Sequence, residues 1–202
     1  MRFWAFLLLL QLPLAFVPPR LKRIPPLSAS MNVIGLSWVI NDLKIAPDGR
    51  VLFARTLMGD DPLRSLTLGN VNRWQFEPAK RNTPVEAHET AVFLFRPRTI
   101  FPSGPLDLSR LPVIDRDRGP LPVRLTDPGY PANSIAEGVV VMELRLTETG
   151  AIQEVRPVSV IPGLMTITEQ VVRSWKFKSA MSNGVPVSGT VVVAISYLRP
   201  SV

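Results

Sequence analysis

The feature that most constrains this chain is an internal repeat. Slid against itself by 101 positions, the sequence aligns from Val39 to Asn82 without a gap. Eleven of those 44 positions are identical, among them Leu43/Leu144, Gly49/Gly150, Arg55/Arg156, Thr67/Thr168, Trp74/Trp175 and Asn82/Asn183. Chance at ordinary composition gives about three. A one-residue shift in the next turn then brings Pro84-Val85 onto Pro186-Val187. Two copies of one small domain are the economical reading.

Periodicity is the same in each copy. Gly138 to Leu146 and Ile152 to Val160 are β-rich runs separated by Glu148-Thr149-Gly150, which predicts a hairpin with a glycine turn. The first copy has Pro47-Asp48-Gly49 at the same place. After Gly163, Leu164, Ile167, Val171 and Trp175 recur at helical spacing, so a helix is expected across the hairpin. An extended Trp175-Lys176-Phe177 segment, an Asn183-Gly184 turn and a β-rich run from Ser188 to Tyr197 follow. The fold class is therefore α+β, with two tandem β-β-α-β domains at 31–97 and 128–202, each one helix packed on a small antiparallel sheet. Between them, residues 98–127 carry Pro102, Pro105, Pro112, Pro120 and Pro122 and read as a mostly extended spacer, with partial packing on a domain as the equal alternative.

Phe3 to Val17 is an apolar run behind Met1-Arg2, the layout of a secretory signal peptide. As a helix it would span about 22 Å, short of the roughly 30 Å hydrocarbon core. Residues 1–30 are accordingly expected to be a signal peptide or a short N-terminal anchor. Ser28-Ala29-Ser30 offers the small residues of a cleavage site, although Pro18-Pro19 follows the apolar run at once.

Composition removes several function classes. The net charge is +7, but residues 1–30 supply four basic groups and no acid, so the folded segments are nearly neutral and a nucleic-acid partner is not expected. With no Cys and a single His (His88), neither a thiolate site nor a multi-histidine metal site can be built, and no metal or cofactor is expected. Neither copy shows the polar constellation an enzyme needs. His88 reads as an exposed strand residue, Asp60-Asp61 as carboxylates favouring a helix N-terminus, and Trp74 and Trp175 as core anchors. Asn70 stands where the second copy has Val171, which predicts a softer first copy.

The second copy resembles the C-terminal domain of TonB-type energy transducers. The resemblance rests on Tyr130-Pro131, Gly138-Val139-Val140-Val141, Leu146 to Gly150, Ser174-Trp175-Lys176-Phe177, Asn183-Gly184-Val185-Pro186-Val187 and the closing Val191-Val192-Val193 run, in that order. The first copy follows the pattern loosely, as a diverged relative. The resemblance implies a periplasmic domain whose last strand accepts an extended peptide from an outer-membrane transporter by strand addition. It thereby implies partner contacts at Thr190, Val192, Ala194 and Ser196 of that strand, treated as an edge, and at the adjoining Tyr130 and Pro131. No Pro or Lys interrupts Ser188 to Tyr197, so the strand should be either covered by a neighbour or used for pairing. The implied partners are the transporter peptide or another envelope protein, and an inner-membrane motor complex, with membrane contact only through residues 3–17 if they are not removed. The apolar N-terminus is short for an anchor and the Pro-rich segment lies between the two domains. The alternative is therefore a non-transducing adaptor of the cell envelope.

Overall fold

The computed structural model describes residues 15–26, 35–111 and 115–200. The first half contains β1 (Arg20–Arg23), β2 (Ser37–Ile45), β3 (Val51–Met58), α1 (Leu63–Val71), β4 (Gln75–Glu77), β5 (Ala79–Lys80), β6 (Pro84–Val85) and β7 (Ala87–Phe95). The Pro-rich stretch contributes β8 (Leu106–Asp107) and β9 (Leu121–Leu125). The second half contains β10 (Gly138–Leu146), β11 (Ile152–Ser159), α2 (Met165–Val172), β12 (Lys176–Lys178), β13 (Ala180–Ser182), β14 (Val185–Val187) and β15 (Gly189–Tyr197).

Local chemistry accounts for the hairpins and helices. Gly49 (φ +85°) and Gly150 (φ +83°) close β2–β3 and β10–β11 in a left-handed conformation, and a Cβ on either would run into the carbonyl oxygen of Phe76 or Phe177. In α2 the buried line is Leu164, Thr168 and Val172, while Ile167 and Val171 flank it half-buried. The helix ends at Val172, so Trp175 sits just past it in the turn into β12 and still packs inward at 2% exposure. Before α1, Asp61 Oδ1 accepts the Ser65 amide at 3.1 Å, which places a carboxylate at the helix N-terminus.

The long strands form one six-stranded sheet in the order β11-β10-β15-β7-β2-β3. Its neighbours are antiparallel except at the centre, where β15 runs parallel to β7 with Thr90 opposite Val191 and Phe95 opposite Ser196. The separate antiparallel sheets expected for the two domains are thus a single mixed sheet. The physical reason is visible in β15, where every residue is buried, as a strand covered on both faces and both edges requires.

The two helices take opposite faces. Under α1 lie Val39, Leu43, Ile45, Ala91, Phe93, Val192 and Ala194 with Trp74; under α2 lie Val140, Met142, Leu144, Val193, Ile195 and Tyr197 with Trp175. Val39 faces Phe93 across β2–β7, as Val140 faces Ile195 across β10–β15. Corresponding residues of β7 and β15 are therefore 102 apart, whereas the residues paired at the join are 101 apart. That one-step stagger turns corresponding side chains to opposite faces. One helix can consequently sit above the sheet and the other below it.

Segments outside the sheet are tied in as well. The described part of residues 98–127 takes the packed alternative: β9 pairs with β12 and with β8, and Leu108, Leu121 and Leu125 are buried. In the first half β1 pairs with β4 in the same way, Leu21 opposite Phe76 as Pro122 is opposite Phe177, and Val17 bridges Lys80 as Arg118 bridges Met181. Residues 17–23, expected within a signal peptide or anchor, are thus part of the folded body. The apolar run up to Leu14 and the Ser28-Ala29-Ser30 site lie outside the described residues. Among the described residues no helix is long and apolar enough to cross a membrane.

Candidate interaction site

The residues expected to meet a partner are inside the protein. Thr190, Val192, Ala194 and Ser196 are 2%, 0%, 3% and 5% exposed, and β15 is paired on both sides. Of the two expectations for this strand, cover by a neighbour or use in pairing, the structure has the first: β7 lies along the edge. Tyr130 does adjoin this strand, with its ring 6.3 Å from that of Tyr197, but it is buried and donates its hydroxyl to Ala136 O at 2.9 Å. Pro131 beside it is half-buried.

Two polar clusters fasten the halves together. On one face, Asp42 of β2 accepts from Arg55 of β3 (3.1 Å), from the Gly119 amide (3.1 Å) and faces His88 Nδ1 at 3.1 Å. On the other, Glu143 of β10 accepts from Arg156 of β11 (2.7 Å) and from the Leu21 amide (2.5 Å). Asp42 and Glu143 correspond in the repeat, as do Arg55 and Arg156. In both clusters the amide comes from the segment leading into the other half. Burial pushes the Asp42 carboxyl up, but the bond and charge of His88, the Gly119 amide and Arg55 together outweigh it and hold the pKa below the usual carboxylate range.

His88 is not the exposed strand residue expected; its side chain is only 12% exposed and paired with Asp42. Asp42 lies 46 positions away, on a neighbouring strand, so spacing gave no sign of it. Glu89, also missed, is fully buried with neither carboxylate oxygen hydrogen-bonded. Desolvation, and then the charge of Glu143, raise its pKa well above the ordinary value. Among the described residues no group of three or more His, Cys, Asp or Glu is placed to hold a metal ion.

What remains open to a partner is the outside of the sheet. Among the described residues nothing pairs with the outer sides of β3 and β11. Along β3, Leu52 and Phe53 are 50% and 47% exposed. Main-chain donors and acceptors on such an edge can take up an extended chain.

Comparison with known proteins places one half of this molecule. No curated protein and no solved structure matches the chain. Residues 127–198, the stretch from the buried Asp127 through β10, β11, α2 and β15, match the family model described as the Gram-negative bacterial TonB protein C-terminal, and it is this part of the chain that carries a TonB C-terminal domain.

Proposed function

We propose that the protein is a TonB-like component of the cell envelope, exported to the periplasm, that binds an extended segment of an envelope partner by strand addition at an outer strand of its sheet. In this reading residues 31–97 are a diverged first copy of the domain. The observation that carries it is the parallel pairing of β7 with β15, which commits both closing strands to each other and, among the described residues, leaves β3 and β11 as the open edges of the six-stranded sheet. The same pairing favours the adaptor role over energy transduction. A transducer that used β15 would first have to break its ladder with β7, six residue pairs long, and expose a buried apolar face.

The partners to seek are outer-membrane transporters that display an extended periplasmic segment. A photo-crosslinking residue introduced at Leu52, Gln153 or Val192 and activated in an envelope preparation tests the reading. Crosslinks to such a transporter from an outer strand and none from Val192 are expected. Crosslinks from Val192 alone would return the interaction to the closing strand and overturn it.

A further inference from the structure

The two outer strands correspond position by position yet differ in what they offer a partner. Leu52, Phe53 and Thr56 of β3 stand where β11 has Gln153, Glu154 and Pro157. Pro157 lacks a donor and Glu154 places an exposed charge on the edge, the two common ways of keeping an edge strand from pairing. β3 contains neither Pro nor Lys, and its one charge, Arg55, is engaged by Asp42 and Asp115.

We propose that β3 is the accepting edge and that its partner is an uncharged, apolar extended segment of another polypeptide; this rests on the strand-addition reading above. Leu52 and Phe53 are both half-exposed, with Leu52 the extra residue where the β2–β3 register shifts, and together they put apolar surface at this edge. Beside the far end of β3, Thr56, Leu57 and Met58 line a hollow of about 540 Å³ with Arg64, Ser65 and Leu68, which leaves room for side chains of the incoming segment. The cations along this side already have counter-charges, Arg50 with Asp48 and Arg64 with Asp61. A charged segment would lose hydration here without gaining a partner charge, whereas an uncharged one has no charge to desolvate and can trade its backbone hydration for strand hydrogen bonds. The eight residues of β3 span about 27 Å, which sets the length of chain that can be added at about eight residues.

Exchanging the two edges tests the assignment. The probe is a labelled eight-residue peptide of alternating Val and Thr, titrated into the full chain by fluorescence anisotropy. The triple variant Leu52→Gln, Phe53→Glu, Thr56→Pro gives β3 the chemistry of β11 and should weaken binding at least about tenfold. The reverse triple, Gln153→Leu, Glu154→Phe, Pro157→Thr, should add a second site of similar affinity, a gain that a damaged fold could not produce. In the unaltered chain the peptide should slow hydrogen exchange over Val51–Met58. Binding that survives the first triple, with protection over Ile152–Ser159 instead, would overturn the choice of β3 but leave strand addition standing. No binding to any of the three proteins would overturn strand addition itself. A dimer in sedimentation that only the first triple dissociates would replace the peptide with a second copy of this chain.

Discussion

The Thr190 hydroxyl donates to the carbonyl of Pro19 at 2.8 Å, joining the last strand of the sheet to a segment near the start of the chain. Thr90 of β7 makes the opposite exchange, donating to Pro120 O at 2.6 Å. Each half thus holds the other's leading segment. The Leu21 amide on Glu143 and the Gly119 amide on Asp42 repeat the exchange at the two carboxylates.

Removal of residues 1–26 should therefore destabilise the protein far more than removal of residues 1–14. The longer deletion takes away Leu21, 5% exposed, from the cluster around Trp74 and Phe76, and withdraws hydrogen-bond partners from Thr190 and Glu143. Loss of the leucine costs roughly 2–3 kcal/mol and each abandoned buried group about 1–3 kcal/mol more. Thermal melts of the two deletions read this directly. Coincident melts would mean that the exchange contributes nothing to stability.

Local patterns carried much of this fold. The glycine turns, the helix positions and the inward tryptophans follow from spacing and residue type, because a turn or a helix is decided by neighbours in the chain. The pairing of β7 with β15 joins strands 101 residues apart, and an apolar run reads alike whether it lies at an edge or in the interior. The unbroken run from Ser188 to Tyr197 said only that the strand needed a neighbour. Hence residue type alone does not tell that Thr190, Val192, Ala194 and Ser196 lie beneath a neighbouring strand. Arg55 and Arg156 were a missed clue: an arginine kept in both copies on an outer strand called for a carboxylate on the strand beside it. Asn70 has a partner that its place on the helix stripe does not reveal. It accepts the Trp74 indole N–H at 2.7 Å, the bond that Thr126 O provides to Trp175 at 3.0 Å. A polar residue on the helix thus takes the place of a backbone acceptor from the leading segment.

A sheet shared by both halves predicts one cooperative transition. Trp175 packs against Trp38 of the first half with ring centroids 5.7 Å apart, so its removal reaches across the join. Trp175→Ala should cost about 3–5 kcal/mol and shift the whole urea curve, including signals from Trp74 at 0% exposure. A curve that splits into two steps, with Trp74 unmoved, would show that the halves unfold independently.

The buried carboxyl of Glu89 makes stability depend on pH in a direction opposite to Asp42. The Glu89 pKa is raised in the folded protein by desolvation and by Glu143, so its contribution is complete below the unfolded value and is lost as pH rises toward the folded one. Over that window the unfolded chain releases the proton while the folded protein keeps it, at about 1.4 kcal/mol per pH unit. Asp42, with its pKa lowered, adds stability at neutral pH that disappears as pH falls through its folded value. Glu89→Gln replaces the acid with a neutral group of the same shape. Relative to the natural protein, the variant should therefore gain stability as pH rises above the ordinary carboxyl range toward the raised folded value of Glu89, while both still weaken in acid through Asp42. Urea melts at pH 4, 6 and 8 measure the difference. A difference that stays constant across the three, whatever its sign, would mean that Glu89 titrates alike in the folded and unfolded chains and is not held neutral beneath the sheet.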